Sequence, residues 1–151
     1  MCLYYDDDLT KEFLSTCDDE IIVYKYMIPV KRFLFLTRYQ SIFYRSSYHT
    51  KDLVARILVK NKTPIFDYTN LPYSGEEAFS IVFDRQYKTI EEGLHAYYKD
   101  PHKSIIPGKT FFSSSPKIYE VLVKKECIIG LGSTNEIVFT RGKIIGLYKG
   151  D

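Results

Sequence analysis

The pattern of apolar and polar positions is clearest in the C-terminal part of the chain, from Lys109 to Tyr148. Short apolar or alternating runs are separated there by glycine, proline and small polar residues. Alternation places every second side chain on one face of a strand, and small residues mark turns. The pattern therefore predicts a series of short strands around which the rest of the chain is organised. They are Tyr119–Val123, Cys127–Leu131, Glu136–Phe139 and Lys143–Tyr148.

The strand pattern also occurs in the N-terminal half. Glu20–Ile28 is rich in β-branched and aromatic residues and is followed by Pro29. Proline removes a donor from the strand ladder, so a strand is predicted that ends at this residue. Two shorter strands are predicted over Arg32–Leu36 and Ser41–Tyr44, joined by hairpin-like connections.

Helical patterns occur at two places in this half. The acidic residues 6–8 predict the start of a short helix over Leu9–Leu14, because carboxylates stabilise a helix N-terminus. Apolar residues at helical spacing predict an amphipathic helix over His49–Lys60, with Thr50 placed to cap it.

The middle of the chain mixes the two patterns. Thr89 and Glu92 match a capping box, which predicts a helical turn that ends near Glu92 and continues into a strand over Leu94–Tyr98. The apolar run Phe79–Phe83 fits either a strand or a helix, since periodicity does not separate the two in so short a run. Loops are predicted over Asn61–Glu76 and Asp100–Gly108.

Together these elements predict an α+β fold. We expect a mixed or antiparallel sheet of about six to eight short strands with one or two helices packed on it. Residues 20–151 are expected to form a single compact domain, and residues 1–19 a partly mobile N-terminal cap.

Composition narrows the class of protein. The chain has 151 residues, of which 45% are hydrophobic and 26% charged, as is usual for one soluble globular domain. The formal net charge of +2 is too small to indicate a nucleic-acid partner by itself. No apolar run approaches the roughly 18 residues of a membrane span. Acids stand where a signal peptide carries bases, so a cytoplasmic protein with no membrane association is expected.

The cysteines indicate reduced thiols. Cys2, Cys17 and Cys127 are widely spaced, form no CxxC pattern, and are odd in number for a set of disulfides. Cys127 begins an apolar run, which favours a buried structural thiol. His95, His102 and Cys127 have no spacing typical of zinc ligands, so no metal site is predicted.

A basic and aromatic segment follows the first strand. Cations that meet phosphates and rings that stack on bases are typical of single-strand nucleic-acid binding. Lysine and arginine also protect edge strands from aggregation, and this alternative stays open. The bases are Lys31, Arg32, Arg38 and Arg45, with Tyr39, Tyr44 and Tyr48 among them.

Three short motifs resemble a loosely defined group of uncharacterised small proteins from bacteriophages and related mobile elements. The group has VYK near the start, G-[FL]-H-A-[FY] in mid-chain and E-I-V near the end. The matching residues are Val23–Lys25, Gly93–Tyr97 and Glu136–Val138. The resemblance implies a compact β-rich fold and no established activity.

Other residues are similar to the Arg–Ser–Glu type of ADP-ribosyltransferases. Tyr44-Arg45 resembles the early arginine, the FFSSS segment Phe111–Ser115 the aromatic-x-Ser-Thr-Ser motif, and Glu136 the catalytic glutamate. Ser114 stands where the usual residue is threonine, and Thr134 where many members carry Glu or Gln.

That resemblance implies catalytic roles for Arg45, Ser113 and Glu136, with NAD as the cosubstrate. The arginine would pair with the pyrophosphate and the serine would orient the nicotinamide ribose. The carboxylate would stabilise oxocarbenium character, as carboxylates do in glycosidases. The accompanying candidate binding residues are Tyr44, Phe112, Ser115 and His95.

Structural explanations for the same residues remain open. Ser113–Ser115 fits a turn whose hydroxyls bind local backbone groups. His95 fits a half-buried side chain on a strand. Glu136 fits a strand residue paired with one of three nearby bases, Lys124, Lys125 or Arg141.

Three hypotheses for function follow. The first, from the first resemblance, is a small intracellular accessory protein of a virus or mobile element, located in the host cytoplasm, that acts by binding a protein partner. It requires an exposed apolar or aromatic patch of roughly several hundred Å². The second is an NAD-dependent ADP-ribosyltransferase-like enzyme. The third is a weak nucleic-acid-binding module that uses the basic segment. Without the transferase hypothesis, no cofactor is predicted.

Overall fold

Strand β2 (Glu20–Arg32) is the longest strand, and other strands assemble along both of its edges. Its sequence favours this role because β-branched and aromatic side chains suit a pleated surface with partners on either side. On one edge, residues Glu20 to Met27 pair with the strand Lys117–Lys124; on the other edge, Tyr24 pairs with Tyr97. The computed structural model describes residues 2–32, 36–41, 47–60, 66–99 and 116–148.

The described elements are mostly strands. Two helices, α1 (Asp7–Thr16) and α2 (Gly75–Val82), accompany them, with a 3-10 turn at Lys125–Cys127. The other strands are β1 Leu3–Tyr4, β3 Leu36–Ser41, β4 Ser47–Tyr48, β5 Asp52–Val54, β6 Arg56–Lys60, β7 Phe66–Asn70, β8 Phe83–Asp84, β9 Thr89–Ile90, β10 Leu94–Tyr97, β11 Lys117–Lys124, β12 Ile128–Leu131, β13 Glu136–Phe139 and β14 Arg141–Leu147.

Within the described residues, the largest sheet has the strand order β12-β13-β10-β2-β11-β14-β5, and β3 and β4 extend it from β2. A three-stranded sheet, β1-β9-β8, and a hairpin, β6-β7, are separate from it. Every strand pair among the described residues is antiparallel. The structure therefore confirms a single compact α+β fold with an antiparallel sheet, in which strands dominate.

One face of the large sheet forms the core. Val23 and Met27 of β2 lie on this face with Val121 of β11, and each is 0% exposed. Lys25 lies between them in the alternation and is also buried. Burying aliphatic side chains contributes about 1.5–3 kcal/mol each, so this face supplies much of the driving force for folding. A lysine in this row is unusual and is considered with the site.

The first nineteen residues, predicted to form a separate cap, supply a strand and a helix that pack on the other elements. Leu3 is 0% exposed and pairs with Ile90. Asp6 caps α1 by accepting a hydrogen bond from the Leu9 backbone N–H at 3.0 Å. The hydroxyl of Thr10 accepts a hydrogen bond of 3.0 Å from the Leu131 N–H. This helix is therefore joined to β12 by a buried polar contact.

Several predicted elements are confirmed. Helix α1 contains the predicted Leu9–Leu14, and β13 has the predicted bounds Glu136–Phe139. Strand β11 contains the predicted Tyr119–Val123. Strand β10 confirms the mid-chain strand over most of its length, β12 begins one residue after Cys127, and β14 covers most of Lys143–Tyr148.

The helix predicted over His49–Lys60 is wrong, because this segment forms β5 and β6. Leu53 is 1% exposed and pairs with Gly142 of β14, while β6 pairs with β7. Thr50 caps no helix: its hydroxyl accepts a hydrogen bond from the Asp52 N–H at 3.2 Å. The available strand partners, together with β-branched residues in the segment, outweigh the helical spacing.

The helical turn predicted at Thr89 is also wrong. Thr89–Ile90 is a strand that pairs with β1 and β8, and Gly93 has φ +114°, a left-handed conformation that suits glycine. For the undecided Phe79–Phe83, the structure shows a helix that begins at Gly75 and passes into β8 at Phe83. The predicted loop over 61–76 contains β7 and the start of α2, and its residues 61–65 lie outside the described part.

The predicted strand end at Pro29 is wrong as well. Strand β2 continues through Pro29, which pairs with Tyr39 of β3. A strand occupies Leu36–Ser41, where a connection between two strands was predicted. Residues 33–35 and 42–44 of the two predicted strands lie outside the described residues, as does the predicted loop at 100–108.

Candidate functional site

Of the predicted catalytic residues, the structure describes Glu136 alone. Arg45 and Ser113 lie outside the described residues. The same holds for three of the predicted binding residues, Tyr44, Phe112 and Ser115. Whether Arg45, Ser113 and Glu136 share one cleft therefore stays a prediction.

Glu136 begins β13 and is half-buried beside Tyr97, its cross-strand partner. Burial raises the pKa of the Glu136 carboxyl, and a hydrogen bond with Thr134 opposes that shift. The expected ion pair is not found: among the described residues, none of the three bases pairs with Glu136. Arg141 instead donates to the carbonyl oxygens of Thr140 and Leu71, at 3.1 and 3.2 Å.

His95 lies on β10 and is 3% exposed, more deeply buried than the half-buried position expected. Burial lowers the pKa of its imidazole to about 4, so the ring is neutral at pH 7. Its Nε2 lies 2.6 Å from the carbonyl oxygen of Glu91, which can only accept, so Nε2 carries the proton. This environment holds the ring in one orientation away from solvent.

Lys25 lies on the buried core face of β2, which is the face of the sheet opposite to the His95 side chain. Its Nζ donates a hydrogen bond of 2.8 Å to the backbone carbonyl oxygen of His95. Burial lowers the pKa of its ammonium group to about 8. A lysine with a shifted pKa is a candidate catalytic group when it lies in a cleft, but Lys25 is 3% exposed and donates to a backbone carbonyl. Its position indicates a structural role.

The basic segment does not form one continuous surface in the described residues. Lys31 pairs with Thr37, whereas Arg38 pairs with the neighbouring residue Val30. Adjacent strand residues point to opposite faces of the sheet. Lys31 and Arg38 therefore lie on opposite faces of the β2–β3 hairpin. The side chain of Arg32 and all of Arg45 lie outside the described part of the chain.

A second surface is the side of β2 and β11 opposite the core, which we call the outer face. Cross-strand pairing and a ring contact define it. Its centre is apolar and partly open to solvent: Ile22 is 43% exposed and pairs with Leu122. The Tyr24 and Tyr148 rings meet edge to face with centroids 5.1 Å apart. The outer face consists of Ile22, Tyr24, Ile118, Glu120, Leu122 and Tyr148.

Charged side chains border this face in cross-strand pairs of opposite sign. Glu20 pairs with Lys124 at one end, and Asp52 pairs with Lys143 next to Leu122. Such pairs contribute little to stability at a surface. They do make the border of the outer face electrically balanced.

The third feature is a cleft of about 750 Å³ between the start of α1 and the β8–β9 turn. Four rings line it, those of Tyr4, Tyr5, Phe79 and Phe83. Phe79 and Phe83 are stacked with centroids 4.6 Å apart, and Tyr5 meets them at 4.9 and 5.3 Å. The Tyr4 side chain stands at the edge and is 71% exposed. The polar residues of the lining are Asp6, Asp7, Asp8, Ser80, Arg85, Lys88 and Ser133.

The acids of this cleft are largely engaged within the protein. Asp6 caps α1, as described above. In Asp7, one carboxylate oxygen accepts from the Tyr5 hydroxyl at 3.0 Å, and the other lies 2.9 Å from Lys11 Nζ. Burial, and then the bond to Asp7, raise the pKa of Tyr5 to about 12. Within the described residues, no carboxylate pairs with Arg85 or Lys88.

The acidic run at residues 6–8 is visible in the sequence, but the cleft is not. Tyr5, Phe79 and Phe83 belong to separate elements, and no local motif connects them. The positive φ of Lys88, +53°, is a feature of the folded backbone; its carbonyl accepts a hydrogen bond of 3.0 Å from the Tyr5 N–H. The only available signal was an aromatic and basic content that is common along this chain.

No family model, curated protein or solved structure matches this chain. In the ranges that the structure covers, no helix is long and apolar enough to cross a membrane. The same ranges bring together no three His, Cys, Asp or Glu side chains that could hold a metal ion. Cys127 is buried, at 1% exposed, as expected for a structural thiol.

Proposed function

We propose that this protein acts by binding another protein through the outer face. The observation that carries the proposal is the exposed apolar centre of that face, where Ile22 is 43% exposed beside Leu122 and the Tyr24 ring. Apolar surface next to a polar border is the usual arrangement of a protein interface. Ile145, 46% exposed at a bulge opposite Glu120, extends the apolar area along β14.

The charges favour a protein over a nucleic acid as the partner. The border carries Glu20 and Asp52 against Lys124 and Lys143, and Glu120 lies at the centre. Nucleic acids require an excess of cations to displace their counterions. A surface with at least as many acids as bases suits an uncharged, apolar patch on a protein.

The size of the face favours a transient partner over a stable second copy of this chain. Three strands about 4.8 Å apart and five residues of about 3.3 Å each span roughly 14 by 17 Å, or on the order of 240 Å² of sheet. A stable interface buries about 800 Å² on each partner. We therefore propose a weak, reversible complex with a different protein.

We further propose, from the resemblance to small phage and mobile-element proteins, that this is an accessory protein of a virus or mobile element that works inside the host cell. Its support is the set of matching motifs, which the fold brings together in the sheet. Lys25 donates a hydrogen bond to His95, and the His95 segment pairs with β13 from Glu136 onward. Most of these motif residues therefore support the fold, and one of them, Tyr24, also belongs to the outer face.

Site-specific photocrosslinking in cells of the natural source tests the proposal. A photoreactive amino acid at Ile22 should give one discrete adduct with another protein. Leu122→Asp should reduce that adduct about ten-fold, since a desolvated carboxylate opposes apolar contact. The matched control carries the photoreactive residue at Tyr87, which is 66% exposed on the β8–β9 turn.

Three results would overturn the proposal. They are the absence of an adduct at Ile22, an adduct of equal yield at Tyr87, and an adduct unaffected by Leu122→Asp. Light scattering on the purified protein covers the remaining case: a stable dimer that Leu122→Asp dissociates would assign the face to a second copy. Leu122→Thr, which introduces a β-branched side chain that suits a strand, is the second variant if the aspartate prevents folding.

A further inference from the structure

The cleft at the start of α1 has a floor suited to a flat, apolar group. Tyr5, Phe79 and Phe83 form one cluster with centroid distances of 4.6 to 5.3 Å. The hydrogen bond from the Tyr5 hydroxyl to Asp7 fixes one of these rings. Aromatic clusters of this kind bind planar rings by stacking or edge contact. A volume of about 750 Å³ lies in the range of small-molecule sites.

The cleft lining carries three carboxylates, Asp6, Asp7 and Asp8, and two cations, Arg85 and Lys88, and the two cations are the groups that can hold an anion. The carboxylates of Asp6 and Asp7 are engaged by the α1 backbone, Tyr5 and Lys11. Arg85 and Lys88 line the same cleft without a carboxylate partner among the described residues. Arginine and lysine are the usual protein ligands of phosphate and carboxylate groups.

The backbone that carries these bases is held in place. The Asp84 side chain accepts hydrogen bonds from the Gln86 and Tyr87 N–H groups at 2.9 and 3.2 Å, which brace the turn that presents Arg85. Lys88 keeps a left-handed conformation, φ +53°, which is costly for a residue with a side chain. Its carbonyl binds the Tyr5 N–H, so the basic side of the cleft is tied to the aromatic floor.

We propose that this cleft binds a small planar aromatic anion, with its ring against Tyr5, Phe79 and Phe83 and its phosphate or carboxylate on Arg85 and Lys88. A ligand of nucleotide size that joins an aromatic ring to an anionic group can contact the aromatic floor and the two bases at the same time. The carboxylate of Asp8, in the first turn of α1, is placed to accept a hydrogen bond from a hydroxyl or amino group of such a ligand. This inference is independent of the outer face.

Titration calorimetry with three probes tests the ligand class: adenosine 5′-monophosphate, adenosine and inorganic phosphate. We expect the monophosphate to bind with a Kd below about 1 mM, and at least about ten-fold more tightly than either part alone. In NMR spectra, the monophosphate should shift the ring signals of Tyr5, Phe79 and Phe83.

Paired charge variants test the anion contacts. Arg85→Gln with Lys88→Gln should weaken monophosphate binding at least about ten-fold. Arg56→Gln with Lys117→Gln removes the same charge from exposed strand positions and should leave the Kd within about two-fold. The NMR shifts on the wild-type protein decide the matter if the first pair does not fold.

Several results would overturn the inference. They are no binding of the monophosphate at millimolar concentration, equal binding of phosphate alone, an equal loss in the two double variants, and ring signals that do not move. Binding of a 5′-phosphorylated oligonucleotide without binding of the monophosphate would also overturn it, because recognition would then depend on a longer backbone.

Discussion

The ammonium group of Lys25 donates a hydrogen bond of 2.8 Å to the backbone carbonyl oxygen of His95. The recorded pairing between β2 and β10 consists of one pair, Tyr24 with Tyr97. Beyond it the strands no longer pair, and the lysine side chain reaches across to a carbonyl of the other strand. A side chain on the core face thus satisfies a buried backbone acceptor.

Because of this arrangement, the free energy of unfolding should vary with pH in the alkaline range. The folded-state pKa of Lys25 is about 8, below the ordinary 10.5 of the unfolded chain. Between these values the unfolded state holds a proton that the folded state has released, so stability rises as pH rises. The slope for one such proton is up to about 1.4 kcal/mol per pH unit. We expect Lys25→Met to lose this rise, measured as the free energy of unfolding in urea from pH 7 to 10.

The matched control is Lys31→Met, an exposed position on the same strand. It should keep the wild-type slope. Cys17, whose pKa is raised by burial, and Tyr5, raised to about 12, contribute in the opposite direction in all three proteins. Identical slopes for Lys25→Met and the wild type would contradict the assignment.

Because of His95, the free energy of unfolding should also vary with pH in the acidic range. Its folded-state pKa is about 4, below the ordinary 6.5, so between these values the unfolded state binds a proton that the folded state excludes. Stability should therefore fall as pH falls from 6.5 to 4, by up to about 1.4 kcal/mol per pH unit. His95→Gln should flatten this slope in urea denaturation, whereas His49→Gln, at an exposed position, should keep it.

Two partly desolvated carboxyls act in the opposite sense over the same pH range. Burial raises the pKa of Glu136 and of Glu92, so each stabilises the folded state as pH falls. They are present in wild type and in both histidine variants, so the comparison isolates the imidazole. A slope that His95→Gln leaves unchanged would show that another group controls acid stability.

The parts of the fold that sequence predicts are those whose burial alternates locally. Lys117–Lys124 shows side chains alternately buried and exposed or half-buried, and its core positions are the hydrophobic Tyr119, Val121 and Val123. Such a pattern can be recognised from consecutive residues, without knowing which strand pairs with them. The same is true of α1, because Asp6 acts on the backbone three residues away.

The segment His49–Lys60 shows where local patterns fail. Its apolar residues recur at a spacing that suits a helix, yet β5 pairs with β14 and β6 with β7. Whether this segment forms a helix or strands depends on partner strands that lie elsewhere in the sequence, so the outcome is a tertiary effect. The cleft is similar, since Tyr5 meets Phe79 only after the chain has folded. Sites assembled from such distant residues have no local signature.

Gly75 provides a test of packing between α2 and the sheet. A Cβ at this position would lie 1.9 Å from the carbonyl oxygen of Ile128, so Gly75→Ala requires the helix or β12 to move. Glycine to alanine within a helix ordinarily stabilises by up to about 1 kcal/mol. Here we expect destabilisation of about 1–3 kcal/mol, as for an overpacked core.

The matched control is Gly146→Ala in β14, where a Cβ would meet nothing within 4 Å. Thermal unfolding should give a lower Tm for Gly75→Ala and a Tm near wild type for Gly146→Ala. Equal Tm values for the two variants would mean that α2 does not pack tightly on β12.

Thr10 tests whether the N-terminal helix is part of the cooperative fold. Its hydroxyl donates to the Asp6 carbonyl at 2.7 Å and accepts from the Leu131 N–H at 3.0 Å, and its side chain is buried. Thr10→Val keeps the shape but leaves a buried N–H without its acceptor, which costs about 1–3 kcal/mol. Thr16→Val, at an exposed position of the same helix, is the control and should change stability by less than about 0.5 kcal/mol. Urea denaturation followed by circular dichroism measures both variants. If the helix were an independent cap, Thr10→Val would leave the unfolding of the sheet unchanged, and amide exchange at Leu131 would match wild type.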